Sequence, residues 1–178
     1  MTLRSITAAL ALAAGLAAPA AAHVVLDQAE APAGSYVRLA IRVGHGCGGA
    51  ATTALRITVP PELQGARPMP HPGWTVSAGG AEERAGHGSH AGHAAHHGGH
   101  HAAASPGEIA WTGGRLDDAF FDEFVLLVRT PAEAGGVLAF PVVQECEGGK
   151  VARWVERAAN PGERVAYPVP LLRVVPKR

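Results

Sequence analysis

The sequence predicts an all-β protein, an antiparallel sandwich of short strands. Three observations carry that expectation. Apolar and polar residues alternate at period two in several short runs. Glycine and proline are plentiful, at 23 and 14 of 178 residues, and they cluster between those runs. No stretch repeats its apolar residues at a helical period. A chain of this length forms one domain of ordinary size and buries a core without help from a metal.

The clearest strand is YVRLAIRV, residues Tyr36–Val43. Val37, Leu39, Ile41 and Val43 fall on one face, and Arg38, Ala40 and Arg42 on the other. The run ALRITVP repeats the pattern with Leu55, Ile57 and Val59. Further strands are expected at 74–77, 108–112, 121–129, 137–144, 150–156 and 171–175. Pro60-Pro61, His71-Pro72-Gly73, Gly113-Gly114 and Gly148-Gly149 punctuate them as turns. Many short strands at this spacing suggest a sandwich.

Residues 1–22 read as a signal peptide. Arg4 is a short basic region, an apolar stretch runs from Ile6 to Ala18, and Pro19-Ala20-Ala21-Ala22 fits an A-x-A cleavage site. Cleavage there makes His23 the first residue of an exported, periplasmic chain spanning 23–178. No later segment holds the ~20 uninterrupted apolar residues of a membrane span, so no membrane span is expected in the mature chain. Fifteen basic and fifteen acidic residues balance, which leaves no electrostatic footprint for nucleic acid. Cys47 and Cys146 are the two cysteines. In an oxidising compartment they most simply form a disulfide, and a thiolate metal pair is the alternative.

One segment breaks the strand pattern. Residues 79–105, centred on HGSHAGHAAHHGGHH, carry His87, His90, His93, His96, His97, His100 and His101 among Gly, Ala and Ser. So few apolar groups do not offset the entropy of ordering, and a long disordered loop between two strands is expected. Loops of this length are often functional. Clustered imidazoles bind Cu(II), Zn(II) and Ni(II) with little selectivity, and lose them as protons compete. Secondary metal recruitment, of copper and of zinc, is the function expected of this loop; an incidental low-complexity insert is the alternative.

A histidine at position one offers two nitrogens from one residue. Its α-amine and ring Nδ1 close a chelate around one ion. An α-amine titrates near 7.7–8, far below a lysine, and yields its proton to a metal easily. Two nitrogens in a plane suit Cu(II), which also tops the divalent affinity order.

The run HVVLDQAEAPAGSYVRLAIRVGHGCGGAATTALRITVPPEL resembles the opening of the YcnI-like family, also called DUF1775. PMPHPGW, IAWTGG, FFDEFVLLVRTP and FPVVQECEGGKVARWVE follow in the family's order, and then a proline-flanked last strand. The resemblance covers the expected mature chain apart from the histidine-rich insert. It implies an Ig-like β-sandwich that binds Cu(II) through the amine and imidazole of its first histidine, with a glutamate and a tryptophan beside the metal.

Carried over, the histidine is His23 and the tryptophan is Trp154. Along strand 150–156, Val151, Arg153 and Val155 share one face, and Ala152, Trp154 and Glu156 the other. Either the valines face the core and Trp154 lies outside, or the reverse. The family's glutamate lies on the strand after a TT pair, and here that strand reads ALRITV without an acid. His45, Glu30 and Asp27 are the candidate replacements, with His45 equally able to cap a turn beside Cys47. Asp122 and Glu123 are expected to be structural or solvated.

Three functions follow. The first is a Cu(II) chaperone or storage protein, not an enzyme, whose partners are the copper ion and a periplasmic copper chaperone or importer. The second is a copper redox enzyme with a two-histidine brace. The third is an Ig-like module with no metal function. No G-x-S-x-G or H-E-x-x-H motif points to hydrolytic chemistry.

Overall fold

The alternation in YVRLAIRV becomes strand β3 (Tyr36–Val43) with the expected face inward. Leu39, Ile41 and Val43 are fully buried, while Arg38 and Arg42 are exposed. The computed structural model describes residues 23–79, 107–160 and 162–177. The signal peptide and all seven loop histidines lie outside the described residues. Within them the chain is all-β, with one short 3-10 turn at Glu147–Gly149.

The other strands, in chain order, are β1 (Val25–Leu26), β2 (Glu30–Pro32), β4 (Thr52–Thr58), β5 (Gln64–Pro68), β6 (Thr75–Gly79), β7 (Glu108–Leu116), β8 (Asp122–Arg129), β9 (Val137–Ala139), β10 (Val142–Cys146), β11 (Val151–Trp154) and β12 (Leu171–Val175). One sheet has the order β1-β3-β8-β5, and a second the order β11-β10-β4-β7-β6. A small third sheet, β2-β12-β9, includes a parallel β2–β12 pair.

Leu39, Ile41, Phe124 and Leu126 of the first sheet share one buried cluster with Leu55, Ile57, Ile109 and Trp111 of the second. That shared core makes the two large sheets a sandwich. Pro68 ends β5 at a sheet edge, where its missing N–H leaves no neighbour unpaired.

The expected strand 137–144 is two strands. Phe140-Pro141 breaks it, and β9 and β10 go to different sheets. Pro141 cannot donate to a ladder, and its carbonyl instead accepts from Thr58 N at 2.9 Å. The cysteines form the expected disulfide, Cys47–Cys146, tying the loop after β3 to the end of β10.

β1 is short but well placed. It pairs antiparallel with β3 through Val25↔Arg42 and Leu26↔Ile41. Asp27 closes the pairing: its backbone N–H donates to Ala40 O, and its Oδ1 accepts from Ala40 N, each at 2.9 Å. Val24 is buried. The chain from His23 is thereby led past the end of β3, where the Gly44-His45-Gly46-Cys47 loop starts.

Candidate metal site

The site begins with Trp154, the last residue of edge strand β11. Its side chain turns inward and is 3% exposed, whereas Val151 and Val155 are 47% and 48% exposed. The arrangement with valines in the core and the tryptophan outside is therefore corrected. The indole is the larger apolar group, and burying it removes more surface from water than burying either valine.

A buried indole N–H needs an acceptor. Trp154 Nε1 donates to Gln144 Oε1 at 3.0 Å. Gln144, itself fully buried, donates from Nε2 to His45 O at 2.8 Å and to Thr52 Oγ1 at 2.7 Å. One amide thus fixes the tryptophan, strand β4 and the histidine-bearing loop together.

His23 and His45 both face this indole. The His23 ring lies 6.0 Å from Trp154, nearly perpendicular at 81°, and the His45 ring 6.5 Å away at 63°. Tyr167 packs against the same indole at 5.2 Å. The histidines nevertheless open into different clefts. His45 lines one of about 400 Å³ with Cys47, Trp154 and Tyr167. His23 lines one of about 840 Å³ with Glu156, Glu163 and the segment up to Leu171.

Glu156 is the carboxylate that sequence reasoning passed over. It lies beyond the end of β11, in an isolated parallel bridge with Pro168. Its N–H donates to Tyr167 O at 3.0 Å, and its carbonyl accepts from Val169 N at 2.8 Å. Its Oε2 accepts from Tyr167 N at 2.9 Å. These bonds anchor Tyr167 to the end of β11, and Arg157, Ala158, Glu163 and Arg164 line the same cleft as His23. The one available signal was its share of the Trp154 face in the period-two pattern.

The candidate replacements for the missing glutamate separate. His45 Nδ1 is hydrogen-bonded to Gly46 O, so Nε2 is the nitrogen it keeps for another partner. Glu30 stands on β2, 61% exposed, with Arg173 at 3.9 Å, and lines a different cleft from His23. Asp27 is committed to β3 and to Arg38 at 3.4 Å. Asp122 bonds His71 at 2.9 Å, and Glu123 bonds Arg42 at 2.9 Å.

Among the described residues no three His, Cys, Asp or Glu side chains converge as a metal cluster. The histidine-rich insert leaves the fold between Gly79 and Glu108, which pair across β6 and β7. β6 is the edge of the second sheet opposite β11.

The comparisons agree on family and fold. No curated protein matches the chain. A solved structure, titled "Crystal structure of an uncharacterized protein from Nocardia farcinica reveals an immunoglobulin-like fold", is similar at 25% identity. The match covers 86% of this chain and 98% of that one, with a TM-score of 0.64. The profile described as "Domain of unknown function (DUF1775)" matches residues 23–174. The matched segment opens at His23 and runs through β11 into β12, so the chain belongs to the DUF1775 family and has its immunoglobulin-like β-sandwich.

Proposed function

We propose that this chain is an exported copper-binding protein of copper homeostasis, a chaperone or store that carries Cu(II) as cargo. Removal of residues 1–22 gives His23 a free α-amine, and that amine and the imidazole chelate the ion. The observation that carries this reading is the meeting of His23 with Trp154 at 6.0 Å beside a cleft that also holds Glu156.

The donor set fits Cu(II). Two nitrogens come from one residue, and Glu156 supplies an anionic oxygen in the same cleft, with Oε1 left over from its bond to Tyr167. Tetragonal N,O coordination suits Cu(II) better than tetrahedral zinc. The lack of a three-side-chain cluster among the described residues is consistent with a site completed by the amine. Trp154, edge-on to His23, orients the ring and keeps water from one side of it.

The separate clefts of His23 and His45 favour cargo binding over a two-histidine redox centre. The seven loop histidines recruit copper, and zinc with it. The periplasm is the compartment, and a copper chaperone or importer receives the ion.

The test is a Cu(II) titration of the chain beginning at His23, followed by tryptophan emission. Cu(II) quenches nearby indoles, so the reading predicts quenching that saturates at one equivalent and is lost in Trp154→Phe and His23→Ala. Equal quenching in His23→Ala would overturn it.

A further inference from the structure

The cleft beside His23 is far larger than a metal ion requires. At about 840 Å³ it exceeds the ~30 Å³ of one water many times over. Val165, Pro168, Val169 and Leu171 give it an apolar lining, and Arg157 and Arg164 stand in its wall. Neither guanidinium has a hydrogen-bond or ion-pair partner among the described residues. Among the described residues Arg38, Arg42, Arg56, Arg115 and Arg173 each reach an acid, while Arg67, Arg129 and Arg153 do not.

The two acids in the same wall each give one oxygen to backbone N–H groups. Glu163 Oε2 accepts from Ala159 N at 2.8 Å and Asn160 N at 3.0 Å, and Glu156 Oε2 accepts from Tyr167 N. The charges of the wall balance, two carboxylates against two guanidiniums, and the guanidiniums keep free N–H donors. They attract a cation that arrives with an anionic ligand, because guanidinium forks match carboxylate oxygens.

We infer that the cleft binds the organic carboxylate of a copper chelate, an α-amino acid with an apolar side chain, so that copper reaches His23 as a ternary complex. The inference rests on Cu(II) binding at His23. Planar Cu(II) has four strong positions. The amine and imidazole of His23 fill two, and the amine and one carboxylate oxygen of the amino acid fill the others, displacing Glu156 Oε1 from the position it takes when copper binds alone. The second carboxylate oxygen accepts from Arg157 or Arg164, and the side chain lies on Val169 and Leu171. No bond in the ligand is broken. The amino acid's ammonium gives up one proton to solvent as it coordinates.

The experiment uses the chain beginning at His23, titrated with Cu(II) alone and with Cu(II) plus L-leucine, and read by EPR and by a competing copper indicator. Leucine is expected to tighten copper binding about ten-fold, the equivalent of one charge-assisted hydrogen bond, and to add one nitrogen to the copper hyperfine pattern. Arg157→Gln/Arg164→Gln should lose that gain and bind Cu(II) alone as before; both arginines are exposed, so the fold is retained. If Cu(II) alone fails to bind, the copper reading itself falls. If Cu(II) binds and leucine merely strips it from the protein, or the double variant keeps the gain, the ternary complex is overturned and copper binding stands. Inorganic phosphate giving the same gain would overturn the organic carboxylate in favour of a general oxyanion site.

Discussion

The indole of Trp154 donates its N–H to the buried amide of Gln144 at 3.0 Å, and the same amide donates to the carbonyl of His45. Through it, a single polar side chain sets both the tryptophan beside His23 and the loop beside the disulfide. Gln144→Leu leaves the indole N–H, the His45 carbonyl and Thr52 without this partner. The cost is expected at about 2–4 kcal/mol, because buried unpaired groups lose their full solvation. Trp154→Phe leaves only Gln144 Oε1 unpaired along with some lost packing, and should cost about 1–3 kcal/mol. Denaturant unfolding of both variants measures the difference. A neutral Gln144→Leu would mean that the network does not hold the site.

Trp74 lies directly over Gly114. A Cβ built on Gly114 would sit 2.2 Å from two atoms of the indole. Trp74 in turn packs on Phe124 at 5.0 Å. Gly114→Ala therefore drives the ring off the core and should lower stability by about 1–3 kcal/mol, the range seen for overpacking. Thermal unfolding checks it, and Trp74→Ala in the same chain should absorb most of the extra loss from Gly114→Ala.

The disulfide closes a loop of 99 residues. Chain entropy assigns a loop of that size about 4–5 kcal/mol. Cys47→Ala/Cys146→Ala should lose much of this, together with the fixed position of the His45 loop. Unfolding of the double variant, compared with the wild-type chain before and after reduction, gives the value. Equal stability in all three would show that β-sheet pairing alone fixes the loop.

Much of this fold was legible in the sequence, and the reasons are local. β3 and β4 set one apolar face against one carrying arginine, so period two names both the strand and its inner side. β11 carries apolar residues on both faces, and the pattern could not choose between Trp154 and the valines. β1 and β2 span two and three residues, too few for any period to show. β5 reads QGARP, and its place at an edge comes from β8 rather than from its own composition. The break at Phe140-Pro141 was missed, since 137–144 was expected as one strand, although a proline inside an apolar run is a signal for it. Glu156 was hidden for a different reason: its position beside His23 depends on a bridge to Pro168, a contact between segments that no spacing reveals.

The histidine-rich insert joins the fold at the edge opposite β11. Deleting residues 80–106 should leave the stability and the first copper equivalent unchanged while lowering total metal bound per chain. Atomic absorption gives the stoichiometry. In both forms copper loading should fall as pH falls, since protons compete for amine and imidazole nitrogens. Unchanged total metal and unchanged uptake rate after deletion would remove the loop from the copper account.

The central claim concerns a free amine on His23, and one added residue tests it. EPR of Cu(II) on the chain beginning at His23 should show one tight site with nitrogen coupling from amine and imidazole. The same chain with a single alanine before His23 should bind that first equivalent about 100-fold more weakly, roughly 2.7 kcal/mol, with a changed nitrogen pattern. Identical spectra and affinities for the two chains would contradict the account.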